Sequence, residues 1–316
     1  MDNKSSVYGV DVSKATLVVG EYDSGSMFTL SNTPEQIARW VSSIAEGSIV
    51  AMEATGAYHQ VLATLAHAAR MRVYVLNPRA LKHYAQAIGQ RGKTDPIDTR
   101  MIARYAMHEH SKLFAWEPPA PGAEKLAQLL QRRDRLVTAC QMVAQSLAGV
   151  SALKAQREQL LANIKRMIRN TELLMRAELA RAPHLAEVHQ RLTSIVGVGF
   201  VVAAQLVVAL TRLRFPRLES FIAYTGLDPR PDDSGQRRGR RRLSKRGPQL
   251  LRCRLYNAGM AAAHSKLFKP LYLALRARGL RSTEAIVILA RKLARIAFAL
   301  YRSGATFDAA KHLQTA

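Results

Sequence analysis

The chain has 316 residues, 48% of them hydrophobic, enough for two domains with their own cores, which excludes wholesale disorder. Its 47 Lys and Arg against 23 Asp and Glu leave a formal charge of +24, which excludes an ordinary metabolic enzyme and implies a polyanionic partner, nucleic acid before membrane surface. Two cysteines, Cys140 and Cys253, exclude a disulfide framework and a Cys-based zinc site and are expected to be reduced, packed thiols.

From the N-terminus, "SVYGVDVSKATLVVGEYDSG" alternates apolar and polar residues around a turn near residues 13–15 and predicts two paired strands. "SMFTLSN" adds a third strand. Thr33, Pro34 and Gln36 resemble a capping box opening a helix that runs to about Ile44. "SIVAMEA" is a fourth strand, "YHQVLATLAHAAR" a helix, and "RVYVLNP" a fifth strand, followed by helices over about 79–89 and 96–110. This order predicts a mixed sheet covered by helices, an α/β domain spanning residues 1–112.

"FAWEPPAPGAEK" is a proline-rich break, so a linker is expected over 113–125. Beyond it Leu126, Leu130, Val137, Cys140, Ala144 and Leu147, then Leu160, Ile164, Met167, Thr171 and Leu174, recur at helical spacings. Two long helices over 126–185 follow, either a coiled-coil seam between molecules or a hairpin packed on its own chain. Residues 190–316 read as short helices around an arginine-rich loop at 232–247. After Asp233 the only acids are Glu284 and Asp308, so this third of the chain carries a strong positive field. The longest apolar run, Ile195–Leu210, is broken by two glycines and Gln205 and is short for a membrane span. With no signal-peptide pattern at the start, a soluble protein of the prokaryotic cytoplasm, associated with the nucleoid, is expected.

Four carboxylates in the first domain sit where chemistry is possible. Asp11 lies on the first strand and Glu53 at the end of the fourth, and adjacent strands can bring them together. Asp95 and Asp98, three residues apart, share a face of one helix. Crowded carboxylates need a cation, and Mg²⁺ prefers such hard oxygen ligands. Asp95 and Asp98 also make a good helix start by themselves, so both readings stay open.

In the basic loop one hydroxyl, Ser244, stands between Arg240, Arg241 and Arg242 on one side and Lys245 and Arg246 on the other, with Arg237 and Arg238 just upstream. Arginine forks hold phosphate oxygens and stabilise charge developing at phosphorus. Either the loop grips the DNA backbone while Ser244 caps the next helix, or Ser244 is a nucleophile placed against a held phosphate. No histidine is near in sequence to activate it. "GVGF" at 197–200 is half of a helix-hairpin-helix element or a tight packing turn, and Tyr58 and Tyr224 either stack on bases or pack in a core.

"YGVDVSK", "MEATGAYH", "GQRGKTDPIDTRMIA", "IVGVGFVVAAQLV", "FIAYTGLDPRPDDSG" and "RLSKRGPQLLR" resemble, in order, the blocks of the DEDD transposases of insertion-sequence family one-hundred-ten. Members are also called bridge-RNA-guided recombinases, and the Piv-type DNA invertases are relatives. The resemblance implies a RuvC-like, RNase H fold over 1–112, with Asp11, Glu53, Asp95 and Asp98 as a metal-binding acidic tetrad. It implies a coiled-coil middle segment and a mostly helical C-terminal transposase domain whose catalytic serine is Ser244. Partners implied are donor and target double-stranded DNA, a noncoding guide RNA encoded by the element, and further copies of the chain in a dimer or tetramer with shared active sites. Nucleic-acid contacts are expected from Arg237, Arg238, Arg240, Arg241, Arg242, Lys245, Arg246 and Lys93.

The resulting expectation is an RNA-guided, Mg²⁺-dependent recombinase that cleaves and rejoins DNA through a phosphoserine intermediate. Its rivals are a RuvC-type nuclease using water, a site-specific invertase without guide RNA, and a basic architectural DNA-binding protein without catalysis.

Overall fold

The computed structural model describes residues 5–54, 56, 58–90, 95–230, 233–234, 237–238 and 241–313, with the backbone alone for 95–97, 112, 233–234, 237–238 and 312–313. Two compact units divide the chain at Pro118 and Pro119.

The first unit opens with β1 (Val7–Val12), β2 (Thr16–Glu21) and β3 (Met27–Ser31), a meander in which each neighbouring pair is antiparallel. Ser13 makes the first reversal. Its Oγ donates to the Thr16 carbonyl at 2.9 Å and accepts from the Thr16 N–H at 2.9 Å. After α1 (Pro34–Val41) comes β4 (Ile49–Glu53), then α2 (Gln60–Ala68), β5 (Arg72–Leu76), α3 (Pro78–Ala87) and α4 (Asp95–Glu109). β4 pairs parallel with β1 and β5 parallel with β4, giving a mixed sheet of order β3-β2-β1-β4-β5. Thr33 accepts from the Gln36 N–H at 3.4 Å and starts α1, and Asn77 accepts from the Arg79 N–H at 2.9 Å and starts α3.

Period-two alternation sorts the strands onto two cores. Val10, Val12, Val50 and Met52 meet Ile37, Trp40, Leu62 and Ala66 of α1 and α2. Val7, Ile49, Ala51 and Tyr74 meet Leu81 of α3 and Met101, Ile102 and Ala106 of α4. Gly9 lets α4 approach closely, since a Cβ there would lie 2.3 Å from the Thr99 carbonyl oxygen and 2.5 Å from the Ala103 nitrogen.

The second unit is helical. α5 (Ala123–Ser146) and α6 (Lys154–Arg181) pack together as a hairpin, followed by α7 (Pro183–Thr193), α8 (Phe200–Arg212) and α9 (Leu218–Thr225). Two short ladders then form from β6 (Pro229–Arg230), β7 (Asp233–Ser234), β8 (Arg237–Arg238) and β9 (Arg242–Leu243), β6 pairing with β9 and β7 with β8. α10 (Gln249–His264), α11 (Lys269–Ala277), α12 (Ser282–Ser303) and α13 (Ala309–Leu313) complete it. The expectation of short helices fails for α12, whose 22 residues bury a continuous stripe including Leu289, Ala290, Leu293, Ala294 and Ala297. Arg291, Lys292 and Arg295 interrupt that stripe in sequence, yet long cationic stems can lie along a helix while their heads reach water.

One buried ionic group ties this unit together. Arg254 of α10, its side chain 8% exposed, donates to Gln205 Oε1 of α8 at 2.6 Å and to the Asp134 carboxylate of α5. Asp134 is also 3.9 Å from Arg133, which pairs with Glu172 of α6 at 2.6 Å. Burial pulls the Arg254 guanidinium below its ordinary pKa while Asp134 works in the opposite direction.

The α5 half of the predicted seam is half-buried at Val137, Cys140, Ala144 and Leu147. On α6, by contrast, Leu160, Met167 and Leu174 are exposed, as is Leu173. Cys140 is half-buried, but Cys253 is exposed, contrary to the expectation that both thiols are packed. Among the described residues no helix is long and apolar enough to cross a membrane.

Candidate active site

Two clusters of interest arise, one in each unit. In the first, the parallel register of β1 and β4 runs to Val10 opposite Met52, so Asp11 and Glu53 are the next residues at the same end of neighbouring strands. Alternation places both on the face that packs against α4, because Val7 and Gly9 on β1 and Ile49 and Ala51 on β4 point there. Both side chains are half-buried.

α4 runs antiparallel to β1. Its middle, Thr99 to Ala103, lies against Gly9. Its last turn reaches the start of β1, where Tyr22 donates its N–H to the Val7 carbonyl at 2.8 Å and sets its ring 6.1 Å from that of His108. The first turn of α4 therefore extends past Gly9 toward Asp11. Asp98 sits in that turn, half-buried, next to the fully buried Thr99. Asp11, Glu53 and Asp98 thus converge on one end of the sheet. Asp95 begins the helix, and its side chain lies outside the described residues.

This convergence is one of placement rather than ligation: among the described residues no group of three His, Cys, Asp or Glu side chains is close enough to hold a metal ion. The donor set consists of carboxylates alone, which suits a hard divalent cation such as Mg²⁺.

The second cluster surrounds Ser244. The β6–β9 ladder pairs Arg230 with Arg242 and Pro229 with Leu243, and the Ser244 N–H continues it by donating to the Asp228 carbonyl at 3.0 Å. Lys245 then donates its N–H to the Gly226 carbonyl at 3.2 Å. Gly226, the C-cap of α9, is left-handed at φ +69°, and Lys245 takes a positive φ of 51°. Gly247 presses against the α9 backbone so closely that a Cβ would lie 1.7 Å from the Tyr224 carbonyl oxygen. Arg252 of α10 donates to the Gly247 carbonyl at 3.2 Å. A serine on a loop is thereby held by backbone contacts on both sides.

The Ser244 hydroxyl donates to Asp228 Oδ1 and lies 3.5 Å from the Arg246 N–H. It does not cap α10, which begins at Gln249 with Pro248 as its N-cap and no side-chain cap. Both Ser244 and Asp228 are half-buried. Arg241, Arg242, Lys245 and Arg246, which flank Ser244 in sequence, are exposed. Arg237 and Arg238 form β8, described by backbone only, while Arg240 and Lys93 lie outside the described residues.

The remaining candidates divide. Gly197 is a packing position: a Cβ there would lie 2.8 Å from the Ala258 carbonyl oxygen of α10. Tyr224 packs its ring 5.2 Å from that of Phe215, and burial pushes its phenol pKa up. Tyr58 is exposed. Asp228 is the residue that sequence reasoning missed. It stands in "TGLDPRP", sixteen positions from Ser244, and two-residue strands leave no alternation to betray the pairing.

The chain thus joins an α/β unit, with carboxylates placed at one sheet end, to a helical unit with a backbone-held serine in a basic loop. Two family models match: a DEDD transposase model over residues 8–154, and one for transposases of the IS116/IS110/IS902 family over residues 189–273. The chain belongs to the IS110 family of transposases. It is similar to the pilin gene-inverting protein of Moraxella bovis, 25% identical over 269 residues that cover 83% of this chain and 82% of that protein. The pilin gene-inverting protein of Moraxella lacunata matches with the same identity and coverage. The chain is accordingly a DNA recombination enzyme.

Proposed function

We propose that this transposase cleaves and rejoins donor and target DNA through a covalent link between a DNA phosphate and Ser244, guided by an RNA encoded with the element. The observation that carries the reading is the Ser244 loop: a half-buried residue, fixed by backbone hydrogen bonds and flanked in sequence by the exposed Arg241, Arg242, Lys245 and Arg246. Guanidinium forks would hold the scissile phosphate and offset the charge that builds on it during attack. A covalent phosphoserine conserves the energy of the broken ester, so a different DNA end can be joined without an external energy source.

Asp11, Glu53, Asp98 and Asp95 would hold Mg²⁺, the first three supported by their common sheet end. When bound, the cation would stabilise charge on the attacking and leaving oxygens. In this reading the first unit has the RuvC-like, RNase H fold, which its β3-β2-β1-β4-β5 order supports. The exposed apolar residues Leu160, Met167, Leu173 and Leu174 on α6 support a coiled-coil contact between copies, and hence a homo-oligomer with shared active sites. Guide-RNA binding rests on the +24 charge together with the family resemblance, with sequence choice delegated to base pairing.

A second reading, site-specific inversion without a guide RNA, is favoured by the similarity to the pilin gene-inverting proteins. A plasmid assay offering inverted sites within one molecule and separate sites on two molecules, with and without the flanking RNA, decides between them. In that assay Asp11→Ala and Ser244→Ala should each abolish product while retaining DNA binding. Recombination by Ser244→Ala at the parental rate would refute the serine mechanism, and cleavage without rejoining by that variant would leave a nuclease that uses water. Full activity of Asp11→Ala would leave the acids without a role.

A further inference from the structure

We propose that Asp228 is the proton acceptor for Ser244 during strand cleavage and its proton donor during rejoining. The inference rests on the reading of Ser244 as the nucleophile and adds the base that reading lacks. A serine hydroxyl is a weak nucleophile near neutral pH and needs a neighbouring base. Among the described residues no histidine contact fills that place, and the Ser244 Oγ–H is donated to Asp228 Oδ1.

Three features make this contact a built one. Backbone pairing runs in parallel with it, since the Ser244 N–H donates to the carbonyl of the same Asp228 at 3.0 Å. Pro229 follows Asp228, and a residue before proline is confined to extended backbone, which limits where the carboxylate can point. The Gly226 and Gly247 contacts then hold the turn beyond Ser244 against α9. A carboxylate beside a phosphate would ordinarily repel it. Here the exposed Arg242, Lys245 and Arg246 stand on the same strand and turn as Ser244 and counter that repulsion.

In cleavage the Ser244 O–H bond breaks and its proton passes to Asp228 Oδ1, while the freed electron pair on Oγ forms the Oγ–P bond. The ester bond from phosphorus to the leaving sugar oxygen breaks with its electron pair on that oxygen, which takes a proton from water. In rejoining, the hydroxyl of the incoming DNA end gives its proton to the solvent and its oxygen bonds to phosphorus. The P–Oγ bond then breaks, and Oγ recovers its proton from Asp228. One carboxylate serves both directions, as a reversible transesterification requires.

The test is single-turnover formation of the covalent protein–DNA adduct by the full chain, on a labelled duplex spanning an element end, measured from pH 5.5 to 9. Asp228→Asn is expected to slow adduct formation about 10²–10⁴-fold, the range for loss of a positioned base, with DNA affinity unchanged within about twofold. Its rate should rise steadily with pH as hydroxide replaces the missing carboxylate, whereas the parent is flat across the neutral range. Asp228→Ala should be partly rescued by added formate, a response that a purely structural role would not give. An Asp228→Asn rate within about threefold of the parent, with the parental pH profile and no formate rescue of Asp228→Ala, overturns the assignment while Ser244 stands. Adduct formation by Ser244→Ala at the parental rate overturns the nucleophile itself, whatever Asp228 does.

Discussion

Gly247→Ala isolates how tightly Ser244 must be held. A Cβ at this position would lie 1.7 Å from the Tyr224 carbonyl oxygen, 2.7 Å from the Tyr224 carbonyl carbon and 2.9 Å from that of Thr225. All three are backbone atoms at the end of α9, so no side chain can swing aside. Restoring an ordinary contact of about 3.5 Å requires the turn to retreat by roughly 1.8 Å relative to α9. Ser244, three residues earlier, is hydrogen-bonded to the far side of the same junction through Asp228, so the shift pulls on that contact. Misplacing a reacting atom by about 1 Å costs on the order of 10²-fold in rate, and Gly247→Ala should lose at least that much in adduct formation. Overpacking also costs about 1–3 kcal/mol, which for a unit of this size lowers Tm by roughly 2–12 °C. Gly226→Ala should cost less rate, since its nearest backbone contacts are 3.0 Å, although its φ of +69° adds strain. The assay pairs single-turnover adduct formation with DNA affinity and thermal melting. A folded Gly247→Ala protein that forms adduct within threefold of the parent would refute the claim that this junction positions the serine.

Gly9→Ala should act on the other cluster: with a Cβ 2.3 Å from the Thr99 carbonyl oxygen, α4 must lift from β1, so cleavage should fall more than tenfold while DNA binding persists, read by filter binding and product gels. Asp134→Ala leaves the 8%-exposed Arg254 without its carboxylate and should destabilise the second unit by about 3–5 kcal/mol in urea denaturation, most of it recovered in Asp134→Leu/Arg254→Met; a loss under about 1 kcal/mol would contradict the account. His189 is held below its ordinary pKa, chiefly by burial, with the Arg176 charge adding to this and the Phe200 carbonyl opposing it. The unfolded chain therefore binds more protons below about pH 6.5, so stability is full above that pH and declines as pH falls. His189→Gln should flatten the decline in melts taken from pH 5 to 8.

The α/β unit was legible because its signals are long-range periodic. Alternating Val10, Val12, Val50 and Met52 announced strands, and Thr33-Pro34 announced α1. Boundaries slipped where serines intervened: α1 ends at Val41 rather than near Ile44, as Ser43 Oγ donates to the Trp40 carbonyl at 2.6 Å and takes over the last turn. In the second unit the helical spacing of Leu160, Met167 and Leu174 was real, yet the hairpin turns those residues outward. Spacing defines a stripe on a helix and does not say what covers it. For Asp11 and Glu53 the sequence said only that adjacent strands can bring them together, and the parallel β1–β4 register puts them at the same strand end. Asp228 was not legible, because its contact with Ser244 arises from a loop folding back on itself through two-residue strands, with glycines supplying the fit.

The serine mechanism requires a bond between DNA and one hydroxyl. Mass spectrometry of the nuclease-trimmed, proteolysed adduct tests it directly. The prediction is a nucleotide mass on the peptide containing Ser244, with a fragment series that assigns it to that side chain, and no such mass from Ser244→Ala. A nucleotide carried by any other residue would contradict the claim, as would strand cleavage in ¹⁸O-water that labels the new DNA phosphate without passing through an adduct.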